Sequence, residues 1–193
     1  MALGFWQTLA SLQAAGTAVA ATTTRTSMTA GSTQAQASLS PNALKYAGDQ
    51  LLFEAAGVIT TIVTTPGTFR IDLAINTVAN FDTLAIPLNI VANTTVPWYL
   101  RAIGTIRAVG TTGNIIWQGI AVSQAFLNTA LPATGPGAGI WCVPYNTAPV
   151  VGANFSTTVS QPIDVYSTQT INTAGSTIQL LSYNLTLMTA TGF

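Results

Sequence analysis

Charged side chains are scarce in this chain of 193 residues, where Asp, Glu, Lys and Arg together make up 5% against about 25% in a typical globular protein. The five basic and five acidic residues cancel. The sequence therefore has neither the basic footprint of a nucleic-acid-binding protein nor the like-charge repulsion that keeps a chain disordered. No run of about 18 apolar residues occurs, so we expect no membrane span. The predicted partners thus include no nucleic acid and no membrane.

Histidine is absent and cysteine occurs once, at position 142. A single cysteine excludes a disulfide within the chain. The lack of histidine removes the usual Cys/His zinc site and the commonest general base. We interpret Cys142, between Trp141 and Val143, as a buried structural thiol rather than a nucleophile. The sequence therefore predicts no cofactor, no metal site and no enzymatic activity.

Threonine takes the place of the missing charge, with 32 residues of this type. Threonine is β-branched, so it favours strands and can still face water. A sheet can then present a polar face with few ions. A neutral chain with few charges is also poorly protected against association. This composition indicates either a surface covered by neighbouring subunits or a secreted sheet protein with a neutral surface.

Residues 1–45 lack the β pattern of the rest of the sequence and are interpreted as an N-terminal arm. Four apolar residues recur there at three-residue steps, namely Leu3, Trp6, Leu9 and Leu12. That spacing predicts a short helix, and the Thr- and Ala-rich stretch behind it is typical of an extended linker. The helix would either dock on another chain or lie on its own domain. In the first case the contact residues at the tip of the arm would be Leu3, Phe5, Trp6 and Leu9.

Residues 46–193 carry a β pattern and are predicted to form one sandwich domain. In "TFRIDLAIN" (residues 68–76) apolar and polar residues alternate, which predicts a half-buried strand. A long strand is predicted at "TVPWYLRAIGTIRAVG", with its apolar side from Trp98 to Ile106. The turn "TTGN" follows and predicts a hairpin. A second hairpin is predicted between "PIDVYSTQTIN" and "TIQLLSYNLTLMT".

About eight strands without alternating helices predict an all-β fold, an antiparallel jelly-roll-like sandwich with the helix-bearing arm in front. An immunoglobulin-like sandwich is the alternative.

Arg70 and Asp72 hold two of the ten charges and stand on the same predicted face, opposite the apolar side chains of their strand. Such residues can be a catalytic pair, an ion pair at an interface, or the solvated side of a strand. Without histidine and without a companion carboxylate, the catalytic interpretation is disfavoured. We therefore predict that Arg70 and Asp72 form an exposed pair and contribute to a subunit contact.

Three stretches together resemble a family of small structural proteins encoded by tailed bacteriophages: "GVITTIVTTPGTFRIDLAIN", "TTVPWYLRAIGTIRAVGTTGNIIWQG" and "SQPIDVYSTQTINTAGSTIQLLSYNLTLM". The resemblance covers residues 46–189 and contains no catalytic motif. It implies a β-sandwich in the virion, most suitably a decoration (cement) protein on the outer head surface. Such proteins sit as homotrimers and clamp the major capsid protein.

Two further functions are compatible with the same sequence. One is a structural component of the tail, baseplate or fibre, present in few copies per particle. The other, from a different class, is a glycan-binding or glycan-cleaving module. The glycan module would require a carbohydrate site, with paired carboxylates if it cleaves.

Overall fold

A computed structural model describes residues 5–29, 37–62, 66–90, 92–127 and 139–189. These ranges are all-β, and their strands pair in antiparallel sheets. They contain no helix, and so none that is long and apolar enough to span a membrane. The predicted all-β class is confirmed.

The described residues form fourteen strands. In chain order they are β1 (Phe5–Ser11), β2 (Val19–Ala20), β3 (Thr26–Ser27), β4 (Ala37–Leu39), β5 (Gln50–Thr61), β6 (Thr68–Phe69), β7 (Ile71–Ile75), β8 (Val78–Asp82), β9 (Ile86–Pro87), β10 (Asn93–Ala108), β11 (Asn114–Ser123), β12 (Gly139–Val143), β13 (Gln161–Ser167) and β14 (Thr177–Thr189).

Two sheets make up most of the molecule. The seven-stranded sheet has the order β1-β14-β5-β10-β11-β12, with β2 also paired to β14. The five-stranded sheet has the order β3-β13-β7-β8, with β4 also paired to β13. Strands β6 and β9 form a separate two-stranded ribbon.

Aromatic rings fill the space between the two sheets. The ring of Phe53 on β5 lies 5.9 Å, centroid to centroid, from that of Phe81 on β8. Phe81 in turn lies 5.6 Å from Trp117 on β11, and Phe69 lies 5.2 Å from Trp98. Contacts of this kind between strands of different sheets are those of a β-sandwich core.

The predicted long strand and the hairpin behind it are confirmed. Strands β10 and β11 pair from Trp98 opposite Ser123 to Ala108 opposite Asn114. All the residues on the predicted apolar side of β10 are buried: Trp98, Leu100, Ala102, Gly104 and Ile106.

The predicted N-terminal helix is wrong. Residues Phe5–Ser11 form strand β1, which pairs with β14 and has a register shift between Thr8 and Ala10. A helix of about three turns is marginally stable without tertiary support, whereas the edge of β14 offers a row of backbone partners. Long-range pairing therefore prevails over the local three-residue spacing. The spacing begins at Leu3, which lies outside the described residues.

The N-terminal segment contributes to both sheets. Strand β2 pairs with β14 in one sheet, while β3 and β4 pair with β13 in the other. Five of its side chains are buried in the common core: Ala10, Val19, Met28, Leu39 and Leu44. The described part of residues 1–45 thus lies along the sandwich.

The second predicted hairpin is wrong, because β13 and β14 belong to different sheets. The connection at residues 168–176 crosses from one sheet to the other. Within it, the buried side chain of Gln169 donates an Nε2 hydrogen bond of 3.1 Å to the carbonyl of Val19. Buried residues alternate with less buried ones along β13, but such alternation does not tell which sheet a strand joins.

Candidate functional site

Arg70 and Asp72 do not form a pair with each other. Asp72 lies on β7 and is only 2% exposed, and its carboxylate accepts hydrogen bonds from Arg25 Nε at 2.9 Å and Nη2 at 2.5 Å. Arg70 instead donates to both carboxylate oxygens of Asp82, at 3.0 and 2.5 Å. The prediction of an exposed Arg70–Asp72 pair is therefore wrong.

Arg25 holds the N-terminal segment against the five-stranded sheet. Its guanidinium carbon lies 3.7 Å from the centroid of the Tyr166 ring, and Nη1 donates to the carbonyl of Thr77 at 3.2 Å. Tyr166 stands directly opposite Asp72 across β13 and β7. Burial raises the pKa of Asp72 above its ordinary value, and the hydrogen bonds from Arg25 offset part of that effect. This arrangement serves structure, since both carboxylate oxygens of Asp72 accept hydrogen bonds from Arg25 of the same chain.

Asp164 on β13 is held in a similar way. Its Oδ1 accepts hydrogen bonds from Ser27 Oγ at 3.0 Å, from Thr29 Oγ1, and from the backbone N–H of Val165 at 2.7 Å. A carboxylate with three donors from its own chain is stabilised in place. In the described residues no group of three or more Asp, Glu, Cys or His side chains could hold a metal ion.

The outer face of the seven-stranded sheet is different, since it exposes apolar side chains. Six of them are at least one third exposed: Trp6, Tyr99, Ile103, Ile120, Ile140 and Leu181. We call this surface the apolar face.

The strand register shows that these side chains share one side of the sheet. One row across the strands contains Ala56, Tyr99, Val122 and Ile140. The next row contains Glu54, Arg101, Ile120 and Cys142. Because all of these positions alternate with buried ones, they point away from the core.

One ion pair interrupts the apolar face in the described part of the chain. Arg101 Nε lies 3.6 Å from Glu54 Oε1, and the hydroxyl of Tyr99 donates to the same oxygen at 2.8 Å. Both charges are partly solvated, with 51% of the Arg101 side chain and 33% of the Glu54 side chain exposed. A pair of this kind adds little stability to the free chain.

A groove of about 620 Å³ opens on the apolar face beside strand β12. Its lining is mainly apolar with a few polar groups, and it includes Arg101, Gln118, Ile120, Cys142, Pro144 and Pro149. The thiol of Cys142 is exposed, so the prediction of a buried thiol is wrong. Cys142 lies on an edge strand and points to the outer side of the sheet, which the sequence around it does not reveal.

The predicted contact residues of the arm lie on or near strand β1. Trp6 is 68% exposed. Leu9 is half-buried and packs against the core, and Phe5 is the first residue of the strand. Leu3 lies outside the described residues. Whether these residues contact a partner stays a prediction.

Sequence reasoning missed Ile103 and Ile120, which lie near the middle of the apolar face. A signal for Ile103 was present, because the alternation in β10 places it on the side shared with Arg101. A large apolar residue on the outward side of a strand is a candidate contact residue. For Ile120 the alternation of β11 carries the same signal.

No protein-family model, no curated protein and no solved structure matches the chain. Its function is therefore inferred from its own residues and their geometry.

Proposed function

We propose that the chain is a structural subunit of a virus particle, namely a head decoration protein of a tailed bacteriophage. In this role it binds the major capsid protein and further copies of itself, as a trimer, on the outer head surface. The observation that supports the proposal is the apolar face, which an isolated chain would leave in water. Contiguous exposed apolar surface of this kind is typical of a protein–protein contact.

The distribution of charge supports the same proposal. Three intrachain ion pairs use six of the ten charged residues, and two of the three lie on the five-stranded sheet. Few charges remain to keep separate copies apart. Contacts formed by this chain would then rest on apolar packing and neutral hydrogen bonds, as in the core of a typical interface.

The order of the strands supports the finer assignment of a jelly roll. Strand β5 lies beside β14 in one sheet, and β7 lies beside β13 in the other. Strands from the first half of the chain thus pair with the last two strands. Pairing between early and late strands is a feature of Greek-key connections, from which the jelly roll is built.

The proposal is tested by binding the recombinant chain to purified heads that lack it. We expect saturation at hundreds of copies per particle. Saturation at a few copies, located at the tail, would favour a tail, baseplate or fibre component instead. A chain that stays monomeric and binds no particle would overturn the proposal.

The apolar face is tested with the double variant Ile103→Asp, Ile120→Asp. Two carboxylates in an apolar contact would be left without partners, so we expect head binding to weaken about 100-fold or more. The matched control is Val159→Asp, which changes a valine that is 52% exposed in a loop and should leave binding unchanged. Equal binding by both variants would exclude the apolar face as the contact.

A further inference from the structure

In the described part of the chain, the seven-stranded sheet has two edge strands. Strand β12 forms one edge, and β1 lies at the other, beside β14. Within the described residues, no further strand pairs with either of them. Their sequences, GIWCV and FWQTLAS, contain no charged residue and no proline. Natural edge strands usually carry such residues because they prevent pairing with another chain.

The directions of the two edges match. Every neighbouring pair from β1 through β14, β5, β10 and β11 to β12 is antiparallel. With six strands in that path, β1 and β12 run in opposite directions. The β1 strand of a second copy can therefore extend the sheet beyond β12 with the antiparallel alternation maintained. Such a head-to-tail contact closes into a ring when its rotation permits.

The side chains at the two edges also complement each other. Trp6 stands opposite Met188, which stands opposite Gln50, and Gln50 stands opposite Thr105. Trp6 thus points to the same side of the sheet as Ile103, two residues before Thr105 on β10. The groove of about 620 Å³ lies on this side toward the other edge, where residues of β10, β11, β12 and the segment after β12 line it. An exposed tryptophan and an apolar groove on opposite edges of one face are suited to anchor a contact between copies.

We propose that a second copy of this chain adds its strand β1 to the edge of β12 and places its Trp6 in the groove beside Cys142. The inference rests on the proposed function, because it specifies how the copies of an assembling subunit join. It also identifies the contact as head-to-tail rather than two-fold.

The test uses Cys142, the single cysteine of the sequence. A second cysteine is introduced on the outward side of β1 as Thr8→Cys, which keeps the side chain of Trp6 in place. Oxidation or a short bismaleimide linker should then join the copies covalently. A non-reducing gel should show linked dimers and trimers, which disappear when Cys142→Ser is added. The matched control is Ser182→Cys, an exposed position on β14 in the interior of the sheet.

The outcomes separate the two proposals. If Thr8→Cys gives no more linked product than Ser182→Cys, while the chain forms oligomers and binds heads, the strand-addition proposal is overturned and the proposed function remains. Linked dimers of the unmodified chain would indicate that two β12 strands meet, and would also overturn the strand-addition proposal. A chain that neither self-associates nor binds heads overturns both.

A second measurement tests the anchoring role of Trp6. The side chain is largely exposed, so Trp6→Ala should leave the circular dichroism spectrum unchanged. We expect the dissociation constant between copies to rise about 100-fold, with a smaller rise for Trp6→Phe. An oligomer of unchanged affinity after Trp6→Ala would contradict the placement of Trp6 in the groove.

Discussion

At the scale of single residues, Asp72 carries an electrostatic cost that other parts of the chain have to offset. A carboxylate with 3% of its side chain exposed loses most of its hydration, and such a loss is severe unless the charge is paired. Arg25 supplies two hydrogen bonds and a positive charge, while Tyr166 supports the guanidinium from the other side. Arg25 thus adds an ion pair to the strand pairings that hold the N-terminal segment on the five-stranded sheet.

We therefore predict that Arg25→Ala lowers the free energy of unfolding at pH 7 by about 3 kcal/mol, since it leaves a buried carboxylate unpaired. The loss should be smaller at pH 4. Burial already raises the pKa of Asp72, and removing Arg25 raises that pKa further. A group with a raised pKa in the folded state favours folding when protonated, and that contribution is lost as the pH rises through the raised value.

Urea denaturation at the two pH values measures this effect. The matched control is Arg70→Ala, which breaks the more exposed pair with Asp82, whose side chains are 40% and 22% exposed. That change should cost no more than about 1 kcal/mol. If Arg25→Ala cost the same at pH 4 as at pH 7, the buried charge of Asp72 would not be the reason for the loss.

At the scale of strands, two glycines make room for the tryptophans of the core. A Cβ atom at Gly57 on β5 would lie 1.9 Å from the carbonyl oxygen of Gln179 and 2.6 Å from the ring of Trp98. A Cβ atom at Gly104 on β10 would lie 2.7 Å from the ring of Trp117. The indole rings thus pack directly on the backbone of the seven-stranded sheet.

Gly57→Ala should therefore lower the free energy of unfolding by about 3 kcal/mol, because it overpacks a site bounded by backbone and by a buried ring. The matched control is Ala56→Ser, the adjacent residue that points out of the same strand, which should cost no more than about 0.5 kcal/mol. Chemical denaturation of both variants provides the comparison. A loss at Gly57 no greater than at Ala56 would mean that the carbonyl of Gln179 and the ring of Trp98 both move aside at little cost.

The strands differ in how well they can be predicted from sequence. The alternation from Trp98 to Ile106 is a local property with a clear period, and it correctly assigned the buried side of β10. The strand β1 could not be predicted in this way, since its state depends on the edge of β14 at the other end of the chain. The partner of Asp72 was missed for the same reason, because Arg25 lies 47 positions earlier in the sequence.

At the scale of the whole molecule, the zero net charge has a consequence for the proposed association of copies. The net charge is zero and the charged fraction is 5%, with most of the charge held in intrachain pairs. Association of such a surface depends on removing apolar groups from water. Charge contributes mainly partner choice and register at an interface of this type.

We predict that binding between copies changes less than about 3-fold between 0.01 and 1 M NaCl, although the screening length falls from about 30 Å to about 3 Å over that range. Analytical ultracentrifugation across the salt series measures the dissociation constant. Arg101→Ala, which removes a charge from the apolar face, serves as a comparison and should leave the salt dependence flat. A weakening of more than about 10-fold in high salt would show that charge drives the association.

The pairing of the first strand with the last has a consequence for synthesis in the cell. Phe5 on β1 stands opposite Thr189 on β14, and strands β2, β3 and β4 likewise pair with β13 or β14. A ribosome releases the N-terminal strands long before these partners exist. The core cannot close until translation has passed the final strand, so the newly made chain keeps the edges of its early strands open throughout synthesis.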